Sequence, residues 1–168
     1  MTAVQISSLV EAVATRLLAG KTRLATAESC TGGLVAKLLT DRAGSSAWFE
    51  RGLITYTNQA KQELLGVPAS IFESVGAVSG ECVAAMAAGL LQQAPVEWAL
   101  SVSGIAGPGG GTADKPVGTV WFGWAERGGP ASTECHRFDG DREAVREAAA
   151  RQALIGLLQR MDARPALA

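Results

Sequence analysis

Residues 26 to 33 read TAESCTGG, and from Glu28 to Gly33 an acid, two hydroxyls, a thiol and two glycines stand side by side. Two of these side chains are candidate nucleophiles. Ser29 needs a base to take its proton. Cys30 needs a lowered thiol pKa, which a helix N-terminus can supply. Each has a plain alternative, because serine is a preferred helix N-cap and cysteine is a small buried apolar residue. Candidate bases are few. The single histidine, His136, falls in a predicted edge strand, where an ordinary half-exposed residue is expected. Lys61, in NQAK, is better placed, but a lysine base must be neutral. Its ordinary pKa is about 10.4, so a value near 7–8 requires roughly 3–4 kcal/mol of bias against the charged form. Burial or a neighbouring cation can provide it. A solvated helix lysine is the plain alternative. Tyr56, the one tyrosine, lies close by in ITYTN and is a candidate donor or proton relay, or simply sheet packing.

A second reactive stretch is SGIAGPGGGTADKP, which holds much of the glycine. Gly104, Gly107, Gly109, Gly110 and Gly111 can line a backbone cradle for an anion. The stretch has no GK[ST] and no helix opens directly after it, so it is neither a Walker loop nor a dinucleotide fingerprint. It reads equally as a connector between strands. Ser103, Thr112 and, from the start of the last helix, Arg142 are candidate polar contacts to the same anion.

These residues need elements to position them. Ile6, Leu9, Val10, Val13 and Leu17 recur at helical spacing, so the chain is expected to open with an amphipathic helix rather than a signal peptide. A strand is predicted over 23–27 and a helix over 30–39. DRAGSSAW is read as a loop, and a second strand is strongest over 52–56. Asn58 is expected to cap the helix QAKQELLG, with Gly66 as its stop. Ser79 is expected to cap GECVAAMAAGLLQQ. EWALSVSG, VGTVWFGWA and STECHRFDG read as further strands, the last two joined by the turn ERGGP. Asp139 or Asp141 is expected to start a final helix with Val145, Ala148, Ile155 and Leu158 toward the core. The tail ARPALA is expected to fray.

Alternating strands and helices imply parallel pairing with helices on both faces. The short links around the last two strands imply antiparallel edges. The expected fold is a three-layer α/β/α sandwich with a mostly parallel sheet, forming one domain over 1–168. In such a sheet the C-terminal ends of the first three strands share one rim, where open α/β sheets bind ligands. ESCTGG, TNQAK and GIAGPGGG all sit there. The N–H groups of Cys30, Thr31, Gly32 and Gly33 are then expected to hold an oxyanion or phosphate at a helix N-terminus.

Composition excludes several classes. The 168 residues are 48% hydrophobic and 18% charged, with 20 glycines, so a full core is expected. Net charge is −1, from 15 basic and 16 acidic residues, with no basic stripe for nucleic acid. No apolar run reaches the ~18 residues a membrane span needs. Cys30, Cys82 and Cys135 are scattered, which points to a reducing cytosol, and Cys82 and Cys135 are expected to pack. No metal-ligand spacing is present, so no metal is expected. The apolar helices lead us to expect a homo-oligomer, with a homodimer the simplest form.

TAESCTGGLVAKLLTDRAGSSAWFERGLITYTNQAK and SVSGIAGPGGGTADKPVGTVWFGWA closely resemble the CinA C-terminal family, and the likeness runs on to GDREAVREAA. The resemblance implies an α/β/α fold without a cofactor. Stand-alone members of that family are nicotinamide-nucleotide amidohydrolases, so it also implies hydrolysis of nicotinamide mononucleotide to nicotinic acid mononucleotide and ammonia. The family's serine nucleophile falls on Ser29 and its lysine base on Lys61, with Tyr56 nearby. Larger relatives carry an N-terminal domain with pyrophosphatase activity, which is not expected here. Two alternatives stay open: an amidase for another small amide, and a non-catalytic nucleotide-binding module.

Overall fold

The computed structural model describes residues 3–164, so the end of the predicted frayed tail lies outside the described residues. The elements run α1 (Ala3–Gly20), β1 (Leu24–Glu28), α2 (Leu34–Thr40), β2 (Phe49–Ile54), α3 (Asn58–Leu65), α4 (Ala69–Ser74), α5 (Gly80–Gln93), β3 (Trp98–Gly104), β4 (Thr119–Glu126), β5 (Ser132–Arg137) and α6 (Arg142–Asp162). One five-stranded sheet has the order β2-β1-β3-β4-β5. β1 pairs in parallel with β2 and β3, while β4 is antiparallel to β3 and β5. The expected three-layer α/β/α sandwich is the observed architecture, with its parallel part at β2-β1-β3 and antiparallel strands at the other side.

The sheet separates two cores. On one face Val10, Val13, Ala14 and Leu17 of α1 meet Val35 and Leu39 of α2 and the α6 residues Val145, Ala149, Ala153, Leu154 and Leu157. On the other, Leu65 of α3 meets Cys82, Val83, Met86 and Leu90 of α5. β1 and β3 lie at the centre, and every residue of β1 is buried. Fully burying a leucine-sized side chain stabilises by roughly 1.5–3 kcal/mol, so these two faces supply the main force holding the layers together. Gly89 of α5 permits a close approach here. A Cβ at that position would stand 2.0 Å from the Leu65 carbonyl oxygen, so only glycine lets α3 settle onto α5.

Several local expectations are corrected. α2 begins at Leu34, not at residue 30, because Gly33 adopts φ 99°, a left-handed conformation that precedes the first helical residue. β2 spans Phe49–Ile54 and leaves Tyr56 beyond its end. The cap of α3 is Thr57, whose hydroxyl accepts from the Ala60 N–H at 3.0 Å; Asn58 is already inside the helix. Ser79 does cap α5, and Asp141, not Asp139, caps α6. DRAGSSAW contains a short 3-10 turn at Ser45–Ala47, and α4 had no counterpart among the predicted helices. On α6 Val145 is buried and half-buried Leu158 packs against the core, as expected, but Ala148 and Ile155 are only half-buried beside that face. The buried line instead runs through Ala149, Ala150, Ala153, Leu154 and Leu157. Small alanines bring α6 close to the sheet, where the Trp124 indole N–H donates to the Ala153 carbonyl at 3.0 Å.

Candidate active site

The parallel trio brings the ends of β1, β2 and β3 to one rim. The turn after β1 carries Ser29, which is 8% exposed. Residue 55, just past β2, is tied to β1 by a bond from the Thr55 N–H to the Glu28 carbonyl at 2.8 Å. α3 then folds back and presents Lys61. Lys61 is only 1% exposed. Its Nζ donates to Ser29 Oγ at 2.9 Å and to the Thr55 carbonyl at 2.8 Å. Two residues 32 positions apart in the chain thus meet in a buried contact. Burial pushes the Lys61 ammonium down from its ordinary value. No carboxylate bonds to it among the described residues, so little opposes the loss of its charge.

Cys30 behaves differently. It sits in the apolar core beside α2, and burial pushes its thiol up to about 12. The expected activation by a helix N-terminus does not arise. α2 starts four residues later, and its first N–H groups already point at a carboxylate. The Glu28 Oε2 accepts from Gly33 and Val35 at 3.1 and 3.0 Å, and Oε1 accepts from Ala36 at 2.8 Å. For the same reason Ser29 is not the cap of α2. Of the four predicted oxyanion donors, two are engaged. The Gly32 N–H donates to the Ser29 carbonyl at 3.0 Å, and the Gly33 N–H to Glu28.

Tyr56 is 54% exposed at the mouth. Its hydroxyl accepts from Arg142 Nη2 at 2.7 Å, while Arg142 Nη1 donates to the Gly107 carbonyl at 2.8 Å. Arg142 therefore links the segment after β2 to the glycine loop after β3. Other predicted contacts serve the loop itself. Ser103 Oγ donates to the Ala77 carbonyl at 2.8 Å. Thr112 exchanges bonds with Lys115 at 2.8 and 3.1 Å and closes a turn. Gly104 packs on β4, and Gly107 and Gly111 lie against Val117. Gly110 rests on Ile105, and Gly109 faces open space. His136 sits on β5 beside Glu134, in another part of the sheet. Cys82 is buried as expected, but Cys135 is exposed, because β5 is an edge strand and alternate residues face outward.

Two residues of this region were absent from the expected set. Glu28 was present only as the acid of ESCTGG, and its signal is a carboxylate placed just before a helix N-terminus. Arg146 lies one turn beyond Arg142, and its Nη2 donates to the Thr31 carbonyl at 3.0 Å. An arginine pair at i and i+4 near a helix start is the signal that places both on one face.

Among the described residues no helix is long and apolar enough to cross a membrane, and no cluster of His, Cys, Asp and Glu is arranged to hold a metal ion. Comparison with known proteins is consistent across the chain. A nicotinamide-nucleotide amidohydrolase PncC of Enterobacter agglomerans is 62% identical over 124 residues, covering 74% of this chain and 76% of that protein. The protein of the same name from Escherichia coli K12 is 50% identical over 159 residues, covering 95% and 96%. The crystal structure of the competence damage-inducible protein A of Klebsiella pneumoniae superposes with a TM-score of 0.91 at 40% identity, covering 95% of this chain and 99% of that one. Residues 6–161 match the CinA C-terminal domain, and the chain belongs to that family.

Proposed function

We propose that this protein hydrolyses the carboxamide of nicotinamide mononucleotide, giving nicotinic acid mononucleotide and ammonia. The observation that carries the chemistry is the buried 2.9 Å contact between Lys61 Nζ and Ser29 Oγ. The names of the relatives supply the substrate. Burial favours the amine over the ammonium, and in this reading Lys61 acts in its neutral form. In that form the contact reverses, and the Ser29 O–H donates to the Nζ lone pair.

Ser29 Oγ attacks the carboxamide carbon as Lys61 takes its proton. The carbonyl oxygen becomes an oxyanion facing the Cys30–Thr31 backbone. One donor to such an oxyanion is worth about 2.7–4 kcal/mol of barrier. Lys61 returns the proton to the departing nitrogen, which leaves as ammonia, and an ester joins Ser29 to the nicotinoyl group. Water then attacks the ester carbon and gives its proton to Lys61. Collapse releases the acid and restores the Ser29 hydroxyl with that proton. Arg142 and the glycine loop lie across the mouth, where the nucleotide phosphate binds in this reading. A guanidinium held, among the described residues, by a phenol and a carbonyl gains a stronger, charge-assisted partner when an anion arrives.

The test is ammonia release from nicotinamide, its riboside and its mononucleotide, with wild type and Ser29→Ala. Turnover of the mononucleotide alone, abolished by Ser29→Ala, is expected. Equal turnover of all three amides would mean a broader amidase, and binding without ammonia release would mean a nucleotide-binding module. Full activity in Ser29→Ala with loss in Cys30→Ala would falsify the choice of nucleophile.

A further inference from the structure

The proposed chemistry leaves one charged group of the site without a task. Glu28 ends β1 and is 1% exposed, yet no cationic side chain bonds to it among the described residues. A buried carboxylate is tolerated when several donors satisfy it. Here all three are backbone N–H groups of Gly33, Val35 and Ala36. The chain leaves Glu28 at its backbone, makes the turn through Ser29, and returns to the Glu28 side chain. The nucleophile candidate therefore sits inside a loop closed on both sides by one residue.

The other bonds of the loop follow from that closure. The Ser29 N–H donates to the Val102 carbonyl at 3.0 Å, Gly32 to Ser29 at 3.0 Å, and Leu34 to Thr31 at 3.1 Å. Arg146 holds the Thr31 carbonyl from the opposite side at 3.0 Å. Two backbone donors are left. Neither the Cys30 N–H nor the Thr31 N–H has a backbone acceptor among the described residues. The value of any backbone donor near a developing oxyanion depends on its being held in place.

We propose that Glu28 is a positioning residue. By gripping the first turn of α2 it holds Ser29 Oγ on Lys61 and fixes the Cys30–Thr31 backbone of the turn. Glu28 itself touches neither substrate nor the reacting atoms. The inference rests on the amidase reading of the site and gives it a second, testable layer.

Glu28→Gln keeps the volume but replaces one acceptor oxygen with an NH2 group, which must face at least one backbone N–H donor. Small displacements at a reacting centre are costly in rate. We expect kcat on the mononucleotide to fall by at least about tenfold, with KM within about twofold. The rate at which a fluorophosphonate reagent modifies Ser29 falls in the same proportion. A purely structural role would lower Tm and the folded fraction while leaving kcat per folded enzyme and the labelling rate unchanged. Leu157→Val supplies the matched loss of Tm. It is buried on α6, 15 residues beyond Arg142 and so roughly 22 Å along the helix. If Glu28→Gln does not fold, Glu28→Asp, which withdraws the carboxylate by one methylene, carries the same comparison. A kcat and labelling rate within twofold of wild type overturn the inference. Wild type that releases no ammonia from the mononucleotide overturns the substrate assignment instead, and Ser29 labelling then decides the role of Glu28.

Discussion

The floor and the mouth of the site are built on opposite physical terms. At the floor, Ser29 and Lys61 are both buried and bonded to each other. At the mouth, Arg142 and Tyr56 are both exposed, and they too are bonded to each other. Removing water from the floor changes what Lys61 is, because burial lowers its pKa and favours the neutral amine. Leaving the mouth wet keeps the Arg142 guanidinium in contact with neutral acceptors that it can exchange for an anion. One half of the rim tunes proton affinity, and the other presents charge. A single environment cannot do both, since the desolvation that favours a neutral lysine would also penalise an unpaired guanidinium.

That division can be broken experimentally, most severely at the floor. Ser29→Ala and Lys61→Ala are each expected to lower kcat by about a thousandfold or more, and the double variant by little more than either. Steady-state ammonia release measures this, and fully additive losses would mean the two residues do not act as a unit. At the mouth, Arg142→Ala is expected to lower kcat/KM for the mononucleotide by about 10- to 100-fold, the worth of a hydrogen bond to a charged group. The riboside, lacking phosphate, should be insensitive. An equal loss on both substrates would remove Arg142 from phosphate recognition.

The pH dependence of the floor has a definite sign. In the proposed mechanism the base is the neutral amine, so kcat/KM is expected to fall about tenfold per pH unit below the Lys61 pKa. Because burial lowers that pKa, the acid limb lies below the ~10.4 of an ordinary lysine. Stability follows the same residue. An unfolded chain holds the Lys61 proton to higher pH than the folded one, so wild type gains stability relative to Lys61→Met as pH rises between the two values. Urea unfolding at neutral and alkaline pH tests this, and an unchanging difference would contradict a depressed pKa. The smallest effect is expected from Tyr56→Phe. It removes one exposed hydrogen bond to Arg142, and about a twofold to tenfold loss in kcat/KM should follow. A loss near that of Lys61→Ala would place Tyr56 in the proton path rather than at the mouth.

Much of the rim was legible in advance. Three strands separated by helices must run parallel, so their following segments must share an edge, and TAESCTGG, TNQAK and the glycine loop were placed together on that basis. Details that depend on one or two dihedral angles were less legible. The start of α2 shifted because Gly33 takes a left-handed conformation. The cap of α3 moved from Asn58 to Thr57, since both are good caps and only the backbone direction chooses between them. Six-residue α4 is too short to show a helical period. The buried face of α6 is less legible because small residues, Ala149, Ala150, Ala153 and Gly156, take half of its buried positions, while the larger Ile155 lies beside that face.

Residue types and their order by themselves determined the layered α/β architecture and the inventory at its rim: a serine, a lysine, a tyrosine and a glycine loop. They could not determine that Lys61 is dry, that Glu28 rather than Ser29 closes the turn, or that Arg142 bridges two loops. Periodicity and turn chemistry are local and survive in the linear order of residues. Solvent exclusion and hydrogen bonds across 32 or 86 positions exist only once the layers have packed.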